Sequence, residues 1–526
     1  MRESAAQLLA TIANAAKVFH APDEKCYANI MVNTHEEVWP VRSRRFKAWL
    51  ASAFYQDQAK PPPTQAMKEA VALVEARALH GPEQAVYVRV AEHHNKIYVD
   101  LADHAWRVVQ IDATGWRVIQ KAPVAFVRAG GMLALPEPAA GGTLDTLRRF
   151  LNVEDEHTWR VIFHWLAMTF QPRGPYPPLG VHGEQGSGKS TGARVLRELV
   201  DPNAAPLRSE PREPRDLMIA AEHGWVIALD NLSHLPAWLS DALCRLSTGG
   251  GFATRELYSD SDEIIFNSMR PVILTGIEEV VTRGDLMDRT IIVELPIIAS
   301  DRRRAEGEFW HTFEQERPGM FGALLDAVAA GLRAEPEVKL SEVPRMADFA
   351  RWSVAVERGL GLPDGGFMDT YTKNIASAHE LVLDGSPVAL TVRTLVADGK
   401  WEGTVAELLA TLAGKVDEDT RRTKGWPKTS RGLSGALRRL APDLRAVGVG
   451  VTFLPRTNQG RPIRLAAVKV GKPPSQPSQP TPTPDSEPIP AAPRAGRDGR
   501  DGHFPTLTGH PVPPRGDLWG VEEGEV

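Results

Sequence analysis

Three features of the 526-residue sequence predict an α/β protein organised on a doubly wound, parallel sheet. The first is Gly183-Glu184-Gln185-Gly186-Ser187-Gly188-Lys189-Ser190, a glycine and four free positions followed by Gly-Lys-Ser. It stands between an extended apolar stretch, Pro178 to His182, and a helical one, Thr191 to Val200, with Val195 and Leu199 on one side. The second is the hydrophobic run from Trp225 that ends in Asp230 and Asn231, 41 residues after Lys189. The third is a pair of further apolar runs, Arg270 to Thr275 and Thr290 to Leu295, which complete a strand and helix alternation.

Strand, glycine-rich loop and helix in that order form a phosphate-binding loop. Glycines let successive N–H groups point inward, and the helix that follows adds the positive end of its dipole. The nucleotide site is therefore expected at Gly183, Glu184, Gln185, Gly186, Ser187, Gly188, Lys189, Ser190 and Thr191. Lys189 is expected to reach the β- and γ-phosphates, and the Ser190 hydroxyl to hold Mg²⁺. Asp230, at the C-terminal edge of a buried strand, is expected to hold the same ion through water.

Composition is that of a globular chain, 42% hydrophobic and 24% charged. The net charge of -5 is unevenly spread: Lys400 to Val470 holds 14 Lys or Arg against 6 Asp or Glu, leaving +8 there and -13 elsewhere. Cys26 and Cys244 have no Cys-x-x-Cys spacing, so neither a disulfide framework nor a structural zinc site is expected. No apolar run approaches the ~18 residues of a membrane span, and the expectation is a soluble, cytoplasmic protein without a membrane partner.

In chain order, residues 1–140 are expected to form a helical and β-meander module. Phe46, Trp49, Leu50 and Phe54 recur at helical spacing, residues 1–80 read as mainly helical, and from Ala85 to Arg128 the period changes to two. His93 and His94 fall at a turn of the meander and read as solvated loop, since no third metal ligand accompanies them. Gly130 to Gly142 reads as a linker, residues 141–177 as a helical collar, 178–300 as the core and 301–395 as a helical lid or spacer.

Residues 396–470 carry the order of a winged helix-turn-helix. Thr404 to Glu407 is a capping box that opens one helix, and a second from Thr429 buries Leu433, Leu437 and Leu440 while presenting Arg431, Arg438 and Arg439. A hairpin about Asn458 to Gly460 then carries Arg456, Arg461 and Arg464. A basic helix in the major groove with a basic wing on phosphate makes duplex DNA the expected partner. Residues 471–526 hold 13 of the 42 prolines and are expected to be disordered.

Between the second and third strands, Cys244 to Tyr258 contains Gly249-Gly250-Gly251, Arg255 and Leu257-Tyr258. With that turn in place the sequence resembles superfamily 3 helicases, the ring-forming AAA+ motors of viral, phage and plasmid replication, and more loosely the helicase half of primase-helicase proteins. The resemblance covers roughly residues 178 to 300. It implies ATP as the nucleotide, a homo-oligomeric ring, single-stranded or forked DNA as substrate, Thr275 as the sensor, and Arg289, after Asp285 and Asp288, as an arginine finger. An intrachain salt bridge of Arg289 to Asp285 or Asp288 stays open, as does Arg283 as a rival finger. Three positions depart from the pattern: Asn231 stands where many such ATPases place Glu or Asp, Thr275 stands for Asn, and the hairpin tip at Asp260, Asp262 and Glu263 is acidic. The N-terminal meander shows no Asp-x-Asp at a strand end with a partnering His, so priming, where it occurs, needs a separate primase. The expectation is an ATP-dependent DNA motor in replication of a phage, plasmid or other mobile element. A nucleotide-gated DNA-binding switch with weak hydrolysis is the alternative, and a small-molecule P-loop kinase is disfavoured by the helicase-like turn and the basic C-terminal region.

Overall fold

The computed structural model describes residues 4–255, 263–266, 268–276, 284–423, 425–455 and 461–468. Asp260, Asp262, Arg283, Arg456, the Asn458 to Gly460 turn and the Pro-rich stretch from 471 onward lie outside these residues.

Four parallel strands make the central sheet, in the spatial order Ile227–Leu232, Val272–Gly276, Leu179–His182, Ile291–Glu294. The strand leading into the glycine loop is thus an inner one, and the strand that carries Asp230 and Asn231 lies at an edge. Side chains alternate between two apolar clusters. Ile227, Leu229, Val272 and Leu274 pack with Leu217, Leu239 and Leu243 from helices Pro214–His223 and Ala237–Thr248. Ala228, Ile273, Leu179 and Val181 pack with Val195 and Leu199 of helix Lys189–Val200. Burial on both faces is why these strands read as near-continuous apolar runs rather than alternating ones.

Helices are the commonest element of the first 80 residues, but a sheet that the sequence pattern did not anticipate lies among them. Helices Arg44–Gln58 and Thr64–Leu79 form where the periodicity places them, but Lys17–His20, Cys26–Val32 and His35–Pro40 build a three-stranded antiparallel sheet. Its tight turn uses Asn33 at φ 51°, a left-handed conformation that asparagine tolerates. A four-stranded meander follows, from Val90–His93 to Gly115–Ile119. Arg89 fastens this module to the core. Fully buried, it donates to the Asp201 carboxylate at 3.1 Å and to the Asp100 carbonyl at 2.9 Å, while Asp201 accepts from the backbone N–H of Trp225 at 2.8 Å.

The Gly130 to Gly142 stretch is an extended strap rather than a loose linker. Leu133 donates to Pro202, Leu135 to Leu101 and Ala139 to Pro318 through their backbones. A Cβ on Gly322 would meet the Ala139 carbonyl at 2.0 Å, so the long helix Glu306–Ala334 takes a glycine where the strap crosses it. Glycine and proline set this contact, and their loop-like composition conceals it.

At the C-terminal end, helices Pro387–Ala397, Val405–Ala413 and Ser430–Ala446 pack on an antiparallel sheet ordered Trp401–Thr404, Pro462–Ala467, Val449–Phe453. Thr404 and Glu407 form a reciprocal capping box at the start of the second of these helices. Leu433, Leu437, Ile463 and Leu465 share one buried cluster with Val388 and Val392 from the first. Among the described residues no helix is long and apolar enough to cross a membrane.

Candidate functional site

Strand register brings the predicted site residues together. Ala228 pairs with Ile273 and Val181 with Thr275, so Asp230 and Thr275, each two residues beyond a paired position, emerge side by side at the C-terminal edge of the sheet. Period-two alternation sends both to the face covered by helix Lys189–Val200. There the Ser190 hydroxyl donates to Asp230 Oδ1 at 2.8 Å, and the Thr275 hydroxyl donates to the same oxygen at 2.5 Å. Thr275 is 1% exposed and also accepts the backbone N–H of Asn231 at 3.0 Å.

The glycine loop turns immediately beside this group. Gly183 has φ 146°, and a Cβ there would lie 2.5 Å from the Leu295 carbonyl, so no other residue fits without displacing the final strand. Lys189 folds its ammonium into the concavity, with Nζ 2.6 Å from the Gly183 carbonyl and 2.8 Å from the Glu184 carbonyl. Burial lowers the Lys189 pKa against the opposing charge of Asp230. Ser187 is buried, whereas Glu184, Gln185, Gly186, Ser190 and Thr191 face solvent and Gly188 is intermediate. An anion above the loop would therefore meet open backbone and a nearby ammonium.

A magnesium ion is not part of the structure, but the donors suit one. Octahedral Mg²⁺ with bonds of ~2.1 Å sets neighbouring oxygens about 3 Å apart. The Ser190 hydroxyl and the Asp230 carboxylate present oxygens at 2.8 Å.

Asn231 is exposed and adopts φ 57°. Arg289 lies elsewhere. Ile291 pairs with Leu179 at the start of the loop strand, which puts Arg289 beyond the N-terminal edge of the sheet, at the opposite end from the loop. Its guanidinium donates to Asp285 Oδ1 and to the Thr248 hydroxyl, each at 3.3 Å. The intrachain partner anticipated from the sequence is thus Asp285, while Arg345 donates to both Asp285 and Asp288.

Two neighbours of the loop carried no signal in the sequence. Asn152 donates to the Ser187 carbonyl at 3.0 Å and to the Pro296 carbonyl at 2.5 Å, tying the loop to the segment after the final strand. Arg303 places a guanidinium nitrogen 3.7 Å from the Cβ position of Gly186. Both come from outside the motif, so spacing could not find them.

In the C-terminal region Arg431, Arg438 and Arg439 are exposed on helix Ser430–Ala446. Arg438 lies 5.0 Å and Arg461 5.7 Å above the Phe453 ring, so helix and hairpin arginines converge there. Arg464 instead pairs with Glu402 across the sheet at 2.8 Å. If Arg431 and Arg438 meet duplex DNA, replacing them together should flatten the plot of log affinity against log salt by roughly two, near one counterion per contact. Fluorescence anisotropy of the full chain across a salt series checks this, and an unchanged slope would assign both arginines to solvent.

Residues 144–375 match the family described as actinomycete integrative conjugative element replication protein, and residues 388–481 match the C-terminal domain of that family. No curated protein matches the chain. Among solved structures, it is similar to the apo C-terminal region of NrS-1 at 13% identity, over 89% of this chain and 100% of that one, with a TM-score of 0.38. It is similar to a JCV helicase structure at 15% identity, over 44% of this chain and 63% of that one, with a TM-score of 0.23. Scores this low carry no weight for the fold. Matched in order, and together more than half of the 526 residues, the two family stretches place this chain among the replication proteins of actinomycete integrative conjugative elements.

Proposed function

We propose that the chain is an ATP-dependent DNA motor of the superfamily 3 helicase type, built as a P-loop AAA+ core with a winged-helix DNA-binding module, and that it works as a homo-oligomeric ring in replication of its element. The observation that carries this reading is the meeting of Ser190, Asp230 and Thr275 beside Lys189 at one sheet edge. Backbone N–H groups of the loop bind and orient the triphosphate. Lys189 balances charge on its outer phosphates, and Ser190 with Asp230 hold Mg²⁺, which when bound neutralises charge developing on the phosphate oxygens. Thr275 fixes the Asp230 carboxylate through its hydroxyl. Arg431, Arg438, Arg439, Arg456 and Arg461 supply the cationic surface for duplex DNA, single-stranded or forked DNA occupies the ring, and a separate primase makes primers. The working compartment is the cytoplasm.

Steady-state ATP turnover with and without single-stranded DNA tests the motor. Strong stimulation by DNA is the expected result, and nucleotide binding without appreciable turnover would contradict it.

A nucleotide-gated DNA-binding switch is the second reading, and Asn231 is what favours it: a neutral amide stands where a carboxylate would polarise the attacking water. Asn231→Asp distinguishes the two. Aspartate matches asparagine in size and accepts the left-handed backbone at φ 57° better than glutamate does. If this is the base position, turnover should rise by at least about tenfold, part of the ~10²–10⁴ a placed base supplies. Unchanged turnover in a folded variant would put the water-activating group elsewhere.

A further inference from the structure

Helix Ser430–Ala446 contains one carboxylate, Asp443, among Arg431, Arg438, Arg439 and Arg445. The arginines are exposed, whereas Asp443 is 1% exposed and turned toward the core. Its partner is His379 on helix Gly366–Asp384, whose Nδ1 lies 2.8 Å from Asp443 Oδ1. On the other side of the ring, His379 Nε2 is 3.6 Å from Asp288 Oδ1, just beyond hydrogen-bond reach, and that buried oxygen has no hydrogen-bond partner. Asp288 Oδ2 accepts from Arg345 at 2.7 Å, Arg345 also donates to Asp285 Oδ1, and Arg289 lies 3.3 Å from that same oxygen. A continuous run of charged side chains therefore joins the basic helix to Arg289.

We propose that His379 is a positioning residue that couples engagement of the basic helix by DNA to release of Arg289 from Asp285. The coupling rests on the motor reading above, in which Arg289 serves a neighbouring subunit and the basic helix binds duplex.

Phosphates that attract the exposed arginines draw the helix outward, and Asp443 leaves His379. The imidazole then turns to the nearest unsatisfied acceptor, Asp288 Oδ1, because a buried oxygen without a donor is costly. Once Asp288 is neutralised by His379, it holds Arg345 less tightly, and Arg345 shifts fully onto Asp285. Two guanidinium groups compete for Asp285 Oδ1, so the gain of Arg345 is the loss of Arg289, which is left free to extend. Proton occupancy supports the exchange. Burial works against a charged ring, but the Asp443 hydrogen bond and the charges of Asp288 and Asp443 outweigh it and raise the His379 pKa above its ordinary value, favouring a ring with two N–H donors.

Hydrogen–deuterium exchange of the full chain, with and without a short labelled duplex whose affinity is read by anisotropy, tests the proposal without depending on ATP. In the native protein, duplex should raise exchange in residues 284–290, as Arg289 gives up Asp285. His379→Gln should bind duplex within about twofold of the native affinity, match the native ATP turnover without DNA, and show no change at 284–290 when duplex binds. Asp443→Asn, which loosens the hold on His379, should instead show raised exchange at 284–290 before any duplex is added, and the double variant should behave as His379→Gln does. Stimulation of turnover by duplex should fall by about tenfold in His379→Gln, within the 5–150-fold range of ordinary coupling. A native-like exchange change in His379→Gln, or no change at 284–290 in the native protein with duplex bound, would overturn the coupling. Absence of Lys189-dependent turnover with the exchange response intact would instead overturn the motor reading and leave the coupling standing.

Discussion

Lys189→Ala is expected to lower ATP turnover by at least about two orders of magnitude. The ammonium sits in the mouth of the glycine loop, 2.6 and 2.8 Å from two loop carbonyls, where an incoming phosphate would meet it. Two charge-assisted hydrogen bonds to phosphate at ~1.5–3 kcal/mol each amount to about 3–6 kcal/mol, or ~10²–10⁴ in rate if most of that stabilises the transition state. Partial burial of the ammonium strengthens the interaction, since water competes less for it. Removing the side chain also leaves the loop carbonyls to solvent, a small structural change, so the thermal melt should stay close to that of the native chain. Phosphate release at saturating ATP is the measurement. Undiminished turnover would remove the loop from the chemistry altogether.

Arg289→Ala should be at least as damaging, by ~10³ or more, while ATP affinity stays almost unchanged. The reason is positional. Arg289 precedes by two residues the strand position paired with Leu179, so it lies beyond the start of a four-residue strand whose far end leads into Gly183. That strand alone spans roughly 10–13 Å. Arg289 cannot serve its own loop from there, and a role on phosphate has to be across a subunit interface. Its present contacts, at 3.3 Å to Asp285 and Thr248, are long and partly exposed, a hold that a developing phosphoryl charge can outcompete. Mixing separates this from a structural salt bridge. A Lys189→Ala subunit, inactive itself, can lend its Arg289 to an Arg289→Ala neighbour, so the mixture should recover turnover that neither variant shows. A mixture as inactive as its parts, in rings that form and exchange subunits, would make Arg289 structural.

What the sequence made legible is what local pattern encodes. Glycine spacing and apolar runs locate the strand before Gly183, the strand that carries Asp230 and the two that follow, and the capping residues Thr404 and Glu407 mark the start of a helix. Lying beyond local pattern are contacts between distant segments. The sheet at residues 17–40 escaped because burial along its strands does not alternate with period two, and the 130–142 strap because Gly and Pro read as linker until a helix is seen against them. The Asp288, His379 and Asp443 group is assembled from three separate elements with donor atoms within 4.8 Å of one another. Asp443, within a helix read for its leucines and arginines, gives no sign in one dimension of where its carboxylate goes.

Strand displacement on a labelled forked duplex tests the motor most directly. The account predicts displacement that requires both ATP and Mg²⁺, fails with a non-hydrolysable ATP analogue and is abolished by Lys189→Ala. Tight, ATP-dependent binding of the fork with no strand released, or displacement undiminished by Lys189→Ala, would contradict it.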